Sequence, residues 1–133
     1  MTEKKKILVV DDEKSMTNLL KKRIESASYD VSIASDGQEG LNKARLEMPD
    51  LIVADVMMPR LDGYHMCRLL KFDEKYKNIP IIMLTSRDND QDRMTANAVG
   101  ADAYVTKPFK GEELMSNIKK LLGDESVLSV PAT

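Results

Sequence analysis

Short apolar runs alternate with longer amphipathic stretches along almost the whole chain. Each run is too short for a buried helix and is largely apolar on both faces, which is typical of strands in a parallel sheet covered by helices. The five runs are residues 7–10, 31–34, 51–54, 80–84 and 103–105, of which the second is the weakest. The pattern therefore predicts a sheet of five strands.

Between the runs, apolar residues recur at spacings of three and four, which predicts five amphipathic helices. The predicted inward-facing residues, helix by helix, are Met16, Leu19, Leu20, Ile24 and Ala27; Leu41, Ala44 and Met48; Met66, Leu69 and Leu70; Met94, Ala98 and Val99; and Leu114, Ile118, Leu121 and Leu122. Asp36 and Asp62, each followed by glycine, indicate turns, and Asp36 also a helix cap. Pro49 should stop the second helix and Gly100 should cap the fourth. Five alternating strand–helix pairs predict an α/β fold, a three-layer α/β/α sandwich.

Composition gives no support to several classes of partner. The chain has 133 residues, which suggests one domain, and 20 Lys and Arg against 22 Asp and Glu give a net charge of −2. That balance gives no argument for direct binding of nucleic acid or an anionic membrane, and no apolar run approaches the length of a membrane span. The single cysteine, Cys67, cannot form an internal disulfide, which predicts a cytoplasmic protein. Cys67 reads as a part-buried apolar residue, and His65 as a surface residue.

Polar side chains stand where four of the predicted strands end. Asp11 and Asp12 follow the first run, Asp55 the third, Thr85 the fourth and Lys107 the fifth. The carboxyl ends of parallel strands lie at one edge of a sheet, so we expect these five residues to converge. Each could be an ordinary loop residue, and Asp55 by itself is as well explained that way. The convergence of all five favours a functional site.

Three carboxylates in one pocket need a compensating charge. At ~5 Å and an effective dielectric constant of ~20, each like-charged pair costs about 3 kcal/mol. A divalent cation or a large pKa shift would relieve this, and all-oxygen ligands suit magnesium. Lys107 could pair with Asp55 or with a phosphoryl oxygen, and Thr85 could donate a hydrogen bond to that oxygen. The residues therefore indicate phosphoryl chemistry with an aspartate as acceptor.

These motifs closely resemble the receiver domain of two-component response regulators, including the single-domain chemotaxis and phosphorelay regulators. The matching stretches are residues 7–12, 50–59, 62–63, 81–86 and 100–109. The resemblance implies a flavodoxin-like fold with a five-stranded parallel sheet in the order 2-1-3-4-5. It also implies a receiver domain over residues 1–123, followed by a tail or linker stub over residues 124–133.

The resemblance further implies a role for each carboxylate. Asp55 would be the phosphoacceptor, which takes its phosphoryl group from a sensor histidine kinase or a histidine phosphotransfer protein. Asp11, Asp12, Asp55 and the backbone carbonyl of Met57 would hold Mg²⁺, with Mn²⁺ as an alternative. No direct contact with nucleic acid or membrane is expected.

By the same resemblance, Thr85 and Lys107 would contact the phosphoryl group, and the peptide bond between Lys107 and Pro108 would be cis. Thr85 and Tyr104 would form the switch, in which Thr85 moves toward the phosphoryl group and Tyr104 turns into the vacated space. This would change the face formed by helix 4, strand 5 and helix 5, and so control a downstream effector, an attached output domain or a phosphorylation-dependent homodimer. Spacing alone makes Tyr104 a half-buried strand aromatic.

Two positions that flank the phosphorylation site vary in this family. Met57 and Arg87 stand where side chains tune the lifetime of the phosphoryl group. Neither is an acid or amide that would position an attacking water, so we predict slow self-dephosphorylation. Ala103 stands where many winged-helix DNA-binding regulators carry an acid used in dimer contacts, which disfavours that class.

Two other functions are weighed against this one. A magnesium-dependent phosphatase or phosphotransferase with an aspartate nucleophile would carry a second acid where Met57 stands, and a lid domain as well. A flavin- or nucleotide-binding module would need a glycine-rich phosphate loop where residues 11–14 are mostly acidic. We therefore predict a phosphorylatable signalling switch rather than an enzyme that acts on an external substrate.

Overall fold

Strands and helices alternate through residues 4–86 and 89–124, the part of the chain that the computed structural model describes. The strands are β1 (Lys6–Val10), β2 (Asp30–Ala34), β3 (Leu51–Asp55), β4 (Ile81–Thr85) and β5 (Ala103–Thr106). The helices are α1 (Lys14–Glu25), α2 (Gly37–Glu47), α3 (Gly63–Lys71), α4 (Asp90–Ala98) and α5 (Gly111–Leu122). Each predicted element is present, and most bounds lie within one or two residues of the prediction.

The strands form one parallel sheet in the order β2-β1-β3-β4-β5. This is the order that the resemblance implied, and the three-layer prediction is confirmed. The order places β1 beside β3, with Val10 opposite Ala54, and β3 beside β4, with Asp55 opposite Leu84. The carboxyl ends of these central strands therefore lie side by side at one edge of the sheet.

Alternate residues of the central strands feed two separate cores. Leu8 and Ile52 pack on the face covered by α2 and α3. Ile7 and Val53 pack on the other face, with residues of α1 and α5. Every residue of β3 and β4 is buried, which explains why their sequences read as continuous apolar runs.

Five side chains predicted to face inward from the helices are exposed instead. In α1, Leu20 and Ile24 face the sheet, and the adjacent Leu19 is turned about 100° away from Leu20. Met48 follows the end of α2 with φ 49°, a left-handed conformation, so the helical period no longer applies to it. The exposed residues are Leu19, Met48, Leu69, Met94 and Ala98. The other predicted inward residues are buried or half-buried.

Two helices differ from the prediction in part of their inward face. In α3 the buried Cys67 lies inward where Leu69 was expected. In α4 the buried residues are Asp92 and Ala96, so Met94 and Ala98 were wrongly predicted, whereas Val99 just after the helix is buried as predicted. The reason is that α4 buries a polar residue, which a search for apolar spacing discards.

The predicted turn and cap signals are confirmed. Asp36 is the N-cap of α2, where its side chain accepts a 2.8 Å hydrogen bond from the Glu39 backbone N–H. Asp62 likewise caps α3. Helix α2 ends at Glu47, before Pro49, and Gly100 follows α4 with φ 88°, a conformation that favours glycine.

The cysteine and the histidine lie outside the functional edge of the sheet. Cys67 is fully buried, and burial raises the pKa of its thiol to about 12, so it packs as an apolar residue. The side chain of His65 is exposed and lies 3.0 Å from Asp62. Among residues 4–86 and 89–124, no helix is long and apolar enough to cross a membrane.

Candidate functional site

Two neighbouring strand ends bring three carboxylates together. β1 ends at Val10, so Asp11 and Asp12 follow it directly, and Asp55 is the last residue of β3. Each offers a carboxylate oxygen, and these oxygens lie within 4.8 Å of one another. Asp11 and Asp55 are buried, whereas Asp12 is exposed. The site is therefore closed toward the sheet and open toward solvent on the side of Asp12.

Lys107 supplies a cation to this cluster from the end of β5. Its ammonium Nζ lies 3.1 Å from Asp55 Oδ1 and 3.4 Å from Asp11 Oδ2. Its backbone N–H donates a 2.7 Å hydrogen bond to the carbonyl oxygen of Thr85, which ties the loop after β5 to the end of β4. The bond between Lys107 and Pro108 is cis, as the resemblance implied.

Burial and charge act in opposite directions on the two central groups. Burial raises the pKa of Asp55, Asp11 and Asp12 add to the rise, and Lys107 opposes it without cancelling it. Burial acts to lower the pKa of Lys107, but the hydrogen bond and charge of Asp55, with those of Asp11, outweigh it and the pKa is raised. The ammonium therefore stays charged, while the carboxyl groups remain short of compensating positive charge.

The donor set at this edge fits a hard divalent cation. Its members are three carboxylates from Asp11, Asp12 and Asp55. The pKa of Asp55 is raised first by burial and then by Asp11 and Asp12, and a cation held among the three carboxylates would offset both effects. Oxygen ligands with access to solvent are the kind that Mg²⁺ and Mn²⁺ prefer. Met57 lies two residues after Asp55, in the loop of residues 56–62 that joins β3 to α3. We call residues 56–62 the β3–α3 loop.

Thr85 ends the strand next to the phosphoacceptor candidate. It is fully buried and lies opposite Thr106 in the register of β4 and β5. Leu84, the residue before it, lies opposite Asp55. Thr85 thus stands at the same sheet edge as the carboxylates, one residue beyond the level of Asp55.

Tyr104 lies on β5 and contacts the helices α3 and α4. It is half-buried, and the guanidinium carbon of Arg93 in α4 lies 5.1 Å from the centroid of its ring. Tyr64 of α3 lies beside Tyr104. The pKa of Tyr64 is raised, first by burial and then by Tyr104 and Asp92. The Tyr64 hydroxyl also donates a 3.2 Å hydrogen bond to the Asp92 carbonyl oxygen. Sequence reasoning missed Tyr64 and Arg93, because neither spacing nor residue type marks a contact between separate elements.

Of the two positions predicted to tune phosphoryl lifetime, Met57 lies among the described residues and Arg87 does not. Met57 is 54% exposed. Arg87 lies outside the described residues, as do residues 125–133 of the predicted tail. The prediction of slow self-dephosphorylation stays a prediction.

The family described as the response regulator receiver domain matches residues 7–119 of the chain. The alkaline phosphatase synthesis transcriptional regulatory protein PhoP of Bacillus subtilis is 48% identical over 118 residues, which are 89% of this chain and 48% of that protein. The chain spans about half the length of this and similar curated relatives. These relatives are named as transcriptional regulators, so they lend no support to the argument from Ala103 against that class.

Solved structures of the same fold are also similar. The chemotaxis protein CheY4 of Vibrio cholerae has a TM-score of 0.85 and 33% identity, over 90% of this chain and all of that one. The receiver domain of a sensor histidine kinase from Pseudomonas aeruginosa has a TM-score of 0.84 and 30% identity, over 91% of this chain and 99% of that one. That structure has a magnesium ion coordinated in its active-site cleft.

Proposed function

The chain belongs to the response regulator receiver domain family, and from this premise we propose that it is a switch operated by phosphorylation of Asp55. The observation that carries the proposal is the contact of one ammonium, from Lys107, with two of three converging carboxylates, those of Asp55 and Asp11. Such a site holds a carboxylate nucleophile beside groups that stabilise the added charge of a phosphoryl group.

The proposed donor is a phosphohistidine of a sensor histidine kinase or of a histidine phosphotransfer protein. A carboxylate oxygen of Asp55 attacks the phosphorus, so an O–P bond forms and the N–P bond of the donor breaks. The electron pair of that bond stays on the imidazole nitrogen, which then takes up a proton. Asp55 must be ionised to attack, and the Lys107 ammonium 3.1 Å away favours that form.

Asp11, Asp12 and Asp55, with the backbone carbonyl of Met57, are the proposed ligands of Mg²⁺, or of Mn²⁺ in its place. When bound, the ion would neutralise charge on the transferring phosphoryl group. Support comes from the all-oxygen donor set and from the related receiver domain that holds magnesium in its cleft. Asp12 is the exposed member, so we assign it to the solvent side of the ion.

Thr85 and Lys107 are the proposed contacts of the phosphoryl group. The phosphoryl group carries roughly −1.5 to −2 charges in place of the single charge of the Asp55 carboxylate, so Lys107 would turn from Asp11 toward the new oxygens. Thr85 would donate its hydroxyl hydrogen to one of them. Tyr104 would then rearrange and displace Arg93 of α4, whose guanidinium lies over its ring. The face of α4, β5 and α5 is thus the proposed output.

The protein's own chemistry would be limited to self-phosphorylation and self-dephosphorylation, with no turnover of an external substrate. We assign the receiver domain to residues 1–123 and a tail or linker to residues 124–133. The output partner is an effector protein, an attached domain or a second copy of the chain; the greater length of the curated relatives supports an attached domain. The single cysteine, Cys67, is buried and free, which supports a location in the cytoplasm.

Beryllofluoride, a stable mimic of the phosphoryl group, tests the switch without a kinase. With Mg²⁺ present, we expect it to change the hydrogen-exchange rates of α4, β5 and α5 in the parent protein. Without Mg²⁺, or with Asp55→Asn, those rates should stay unchanged. The proposal fails if Asp55→Asn responds as the parent does.

A further inference from the structure

The β3–α3 loop carries one proposed ligand, the Met57 carbonyl, and both of its ends are fixed. The Val56 N–H donates a 3.0 Å hydrogen bond to the carbonyl of Leu84 in the neighbouring strand. The Gly63 N–H donates a 2.9 Å bond back to the Val56 carbonyl. A Cβ at Gly63 would lie 2.3 Å from the carbonyl oxygen of Asp55, so glycine is required for this close return. The position of Met57 therefore depends on what holds the middle of the loop.

Asp36 contacts the middle of the loop from the N-terminus of α2. One of its carboxylate oxygens accepts the capping hydrogen bond from the Glu39 N–H, and the other accepts a hydrogen bond from Arg60 Nη1. The Asp36 side chain is 11% exposed, whereas that of Arg60 is 71% exposed. The buried carboxylate is thus the fixed partner, and the arginine brings the loop to it.

The backbones of the two elements also touch at this point. A Cβ added at Gly37, next to Asp36, would lie 1.7 Å from the carbonyl oxygen of Leu61, next to Arg60. Only glycine permits that approach. The ion pair and the backbone contact therefore lie side by side.

Arg60 itself adopts a conformation that its side chain does not favour. Its φ is 68°, in the left-handed region that residues with a Cβ rarely enter. A residue persists there when surrounding contacts fix it. Packing of the half-buried Met58 and Leu61 against the core supplies apolar contacts, and the pair with Asp36 supplies a charged one.

We propose that Asp36 and Arg60 are positioning residues whose ion pair holds the β3–α3 loop in place, and so sets the affinity of the metal site through the Met57 carbonyl. This inference rests on the proposed function, because it assumes that the Met57 carbonyl is a ligand. Asp36 and Arg60 do not touch the ion or the phosphoryl group. They would act one step beyond the ligand, through the loop that carries the Met57 carbonyl, as outer partners of metal ligands do in many sites.

The test is the dissociation constant of Mg²⁺, measured by titration calorimetry on the unphosphorylated protein. Asp36→Asn keeps an N-cap for α2 and removes the charge that Arg60 needs. We expect Asp36→Asn and Arg60→Gln each to weaken Mg²⁺ binding by about tenfold, the low end for loss of an outer partner. The double variant should be no weaker than either single one, because both remove the same pair. Arg60→Lys should recover part of the loss.

Two further measurements separate positioning from a general effect on folding. Phosphorylation by a small phosphodonor should be slow in Asp36→Asn at low Mg²⁺ and equal to the parent at saturating Mg²⁺. Arg60→Gly removes the steric cost of the left-handed conformation. This variant should stay folded yet bind Mg²⁺ as weakly as Arg60→Gln. The matched control is Lys77→Gln, which breaks an exposed pair with Glu74 just after α3 and should leave the dissociation constant unchanged.

The outcomes distinguish this inference from the function on which it rests. If the parent binds Mg²⁺ and Asp36→Asn and Arg60→Gln bind it equally well, the inference is overturned and the proposed function stands. Additive losses in the double variant would also overturn it, since the two residues would then act separately. If the parent itself binds no Mg²⁺, the proposed function fails as well.

Discussion

The ammonium of Lys107 lies 3.1 Å from Asp55 Oδ1, although the two residues are 52 positions apart in the chain. The contact exists because β3, β4 and β5 are neighbours in one parallel sheet and end at the same edge. It places a cation against the carboxylate that we propose as phosphoacceptor. In the unphosphorylated protein, this pair is what phosphorylation would have to rearrange.

Lys107→Met removes that cation with little change in volume and leaves Asp55 and Asp11 facing each other. We expect the metal-free variant to lose about 3 kcal/mol of unfolding free energy, the scale for removing one partner of a buried pair. Saturating Mg²⁺ should return most of the loss, because it supplies the missing positive charge. Urea denaturation with a chelator and with Mg²⁺ measures both values.

Lys71→Met is the control for this prediction. Lys71 pairs with Asp102 at 2.7 Å and its side chain is 11% exposed, so its removal should also destabilise the fold. No proposed metal ligand lies in that pair, and Mg²⁺ should not restore it. Equal losses of Lys107→Met with and without Mg²⁺ would contradict the prediction.

The pair of Asp36 and Arg60 predicts a pH dependence. The pKa of Asp36 is lowered, first by the Glu39 backbone hydrogen bond and then by Arg60, although burial opposes this. Its stabilising effect is thus full above the unfolded pKa of about 3.9 and is lost as pH falls through the lower folded value. Asp36→Asn should cost about 1 kcal/mol at pH 7, and the difference from the parent should shrink toward pH 3.

Urea denaturation of the parent and Asp36→Asn at both pH values measures this difference. Glu74→Gln breaks the exposed pair with Lys77 and should show no comparable trend. A difference that stays constant down to pH 3 would mean that the charge of Asp36 does not contribute.

Tyr29 anchors the end of α5. Its hydroxyl donates a 2.8 Å hydrogen bond to Asp124, whose other oxygen lies 3.2 Å from Lys5 Nζ. Tyr29→Phe should lower the unfolding free energy by about 1–2 kcal/mol and speed hydrogen exchange in the last turn of α5. Asp124→Ala should lower the unfolding free energy less in the Tyr29→Phe variant than in the parent, because the two changes remove the same contact. Unchanged exchange in that turn would contradict this account.

Met57 gives a prediction about phosphoryl lifetime. It follows the proposed acceptor by two residues and its side chain is exposed, so an amide there could hold a water near the phosphorus. Met57→Asn should shorten the lifetime by about tenfold, less than the 10²–10⁴ that a positioned general base supplies. Met57→Leu should behave as the parent does. The decay of phosphorylated protein with Mg²⁺ present measures the rates, and a half-life of seconds in the parent would contradict the prediction of slow decay.

The convergence of Asp11, Asp12, Asp55 and Lys107 was predictable because it depends on features that short sequences carry. Apolar runs mark the strands, and parallel pairing then sends every strand end to one edge. In the central strands the apolar pattern agrees with the observed burial, so the sheet and its polar ends could be predicted from short stretches of sequence. The roles given to those residues came from the family resemblance.

The inward faces of α1 and α4 and the partner of Asp36 were not predictable in the same way. Leu19 and Leu20 are adjacent and equally apolar, so only tertiary packing shows which faces the sheet. Arg60 meets Asp36 across 24 positions of the chain, and nothing in either neighbourhood marks the contact. Local sequence patterns predict burial well in strands that are apolar on both faces. They predict it poorly in helices where several apolar residues compete for the face that packs on the sheet.

The most direct test of the central claim is the site of phosphorylation. The protein is incubated with a small phosphodonor and Mg²⁺, and its mass and that of its peptides are then measured under acid conditions that preserve the acyl phosphate. We predict one phosphoryl group per chain in the parent, on Asp55, and none in Asp55→Asn or in the absence of Mg²⁺. Equal labelling of Asp55→Asn, or a parent that takes up no phosphoryl group, would contradict the account.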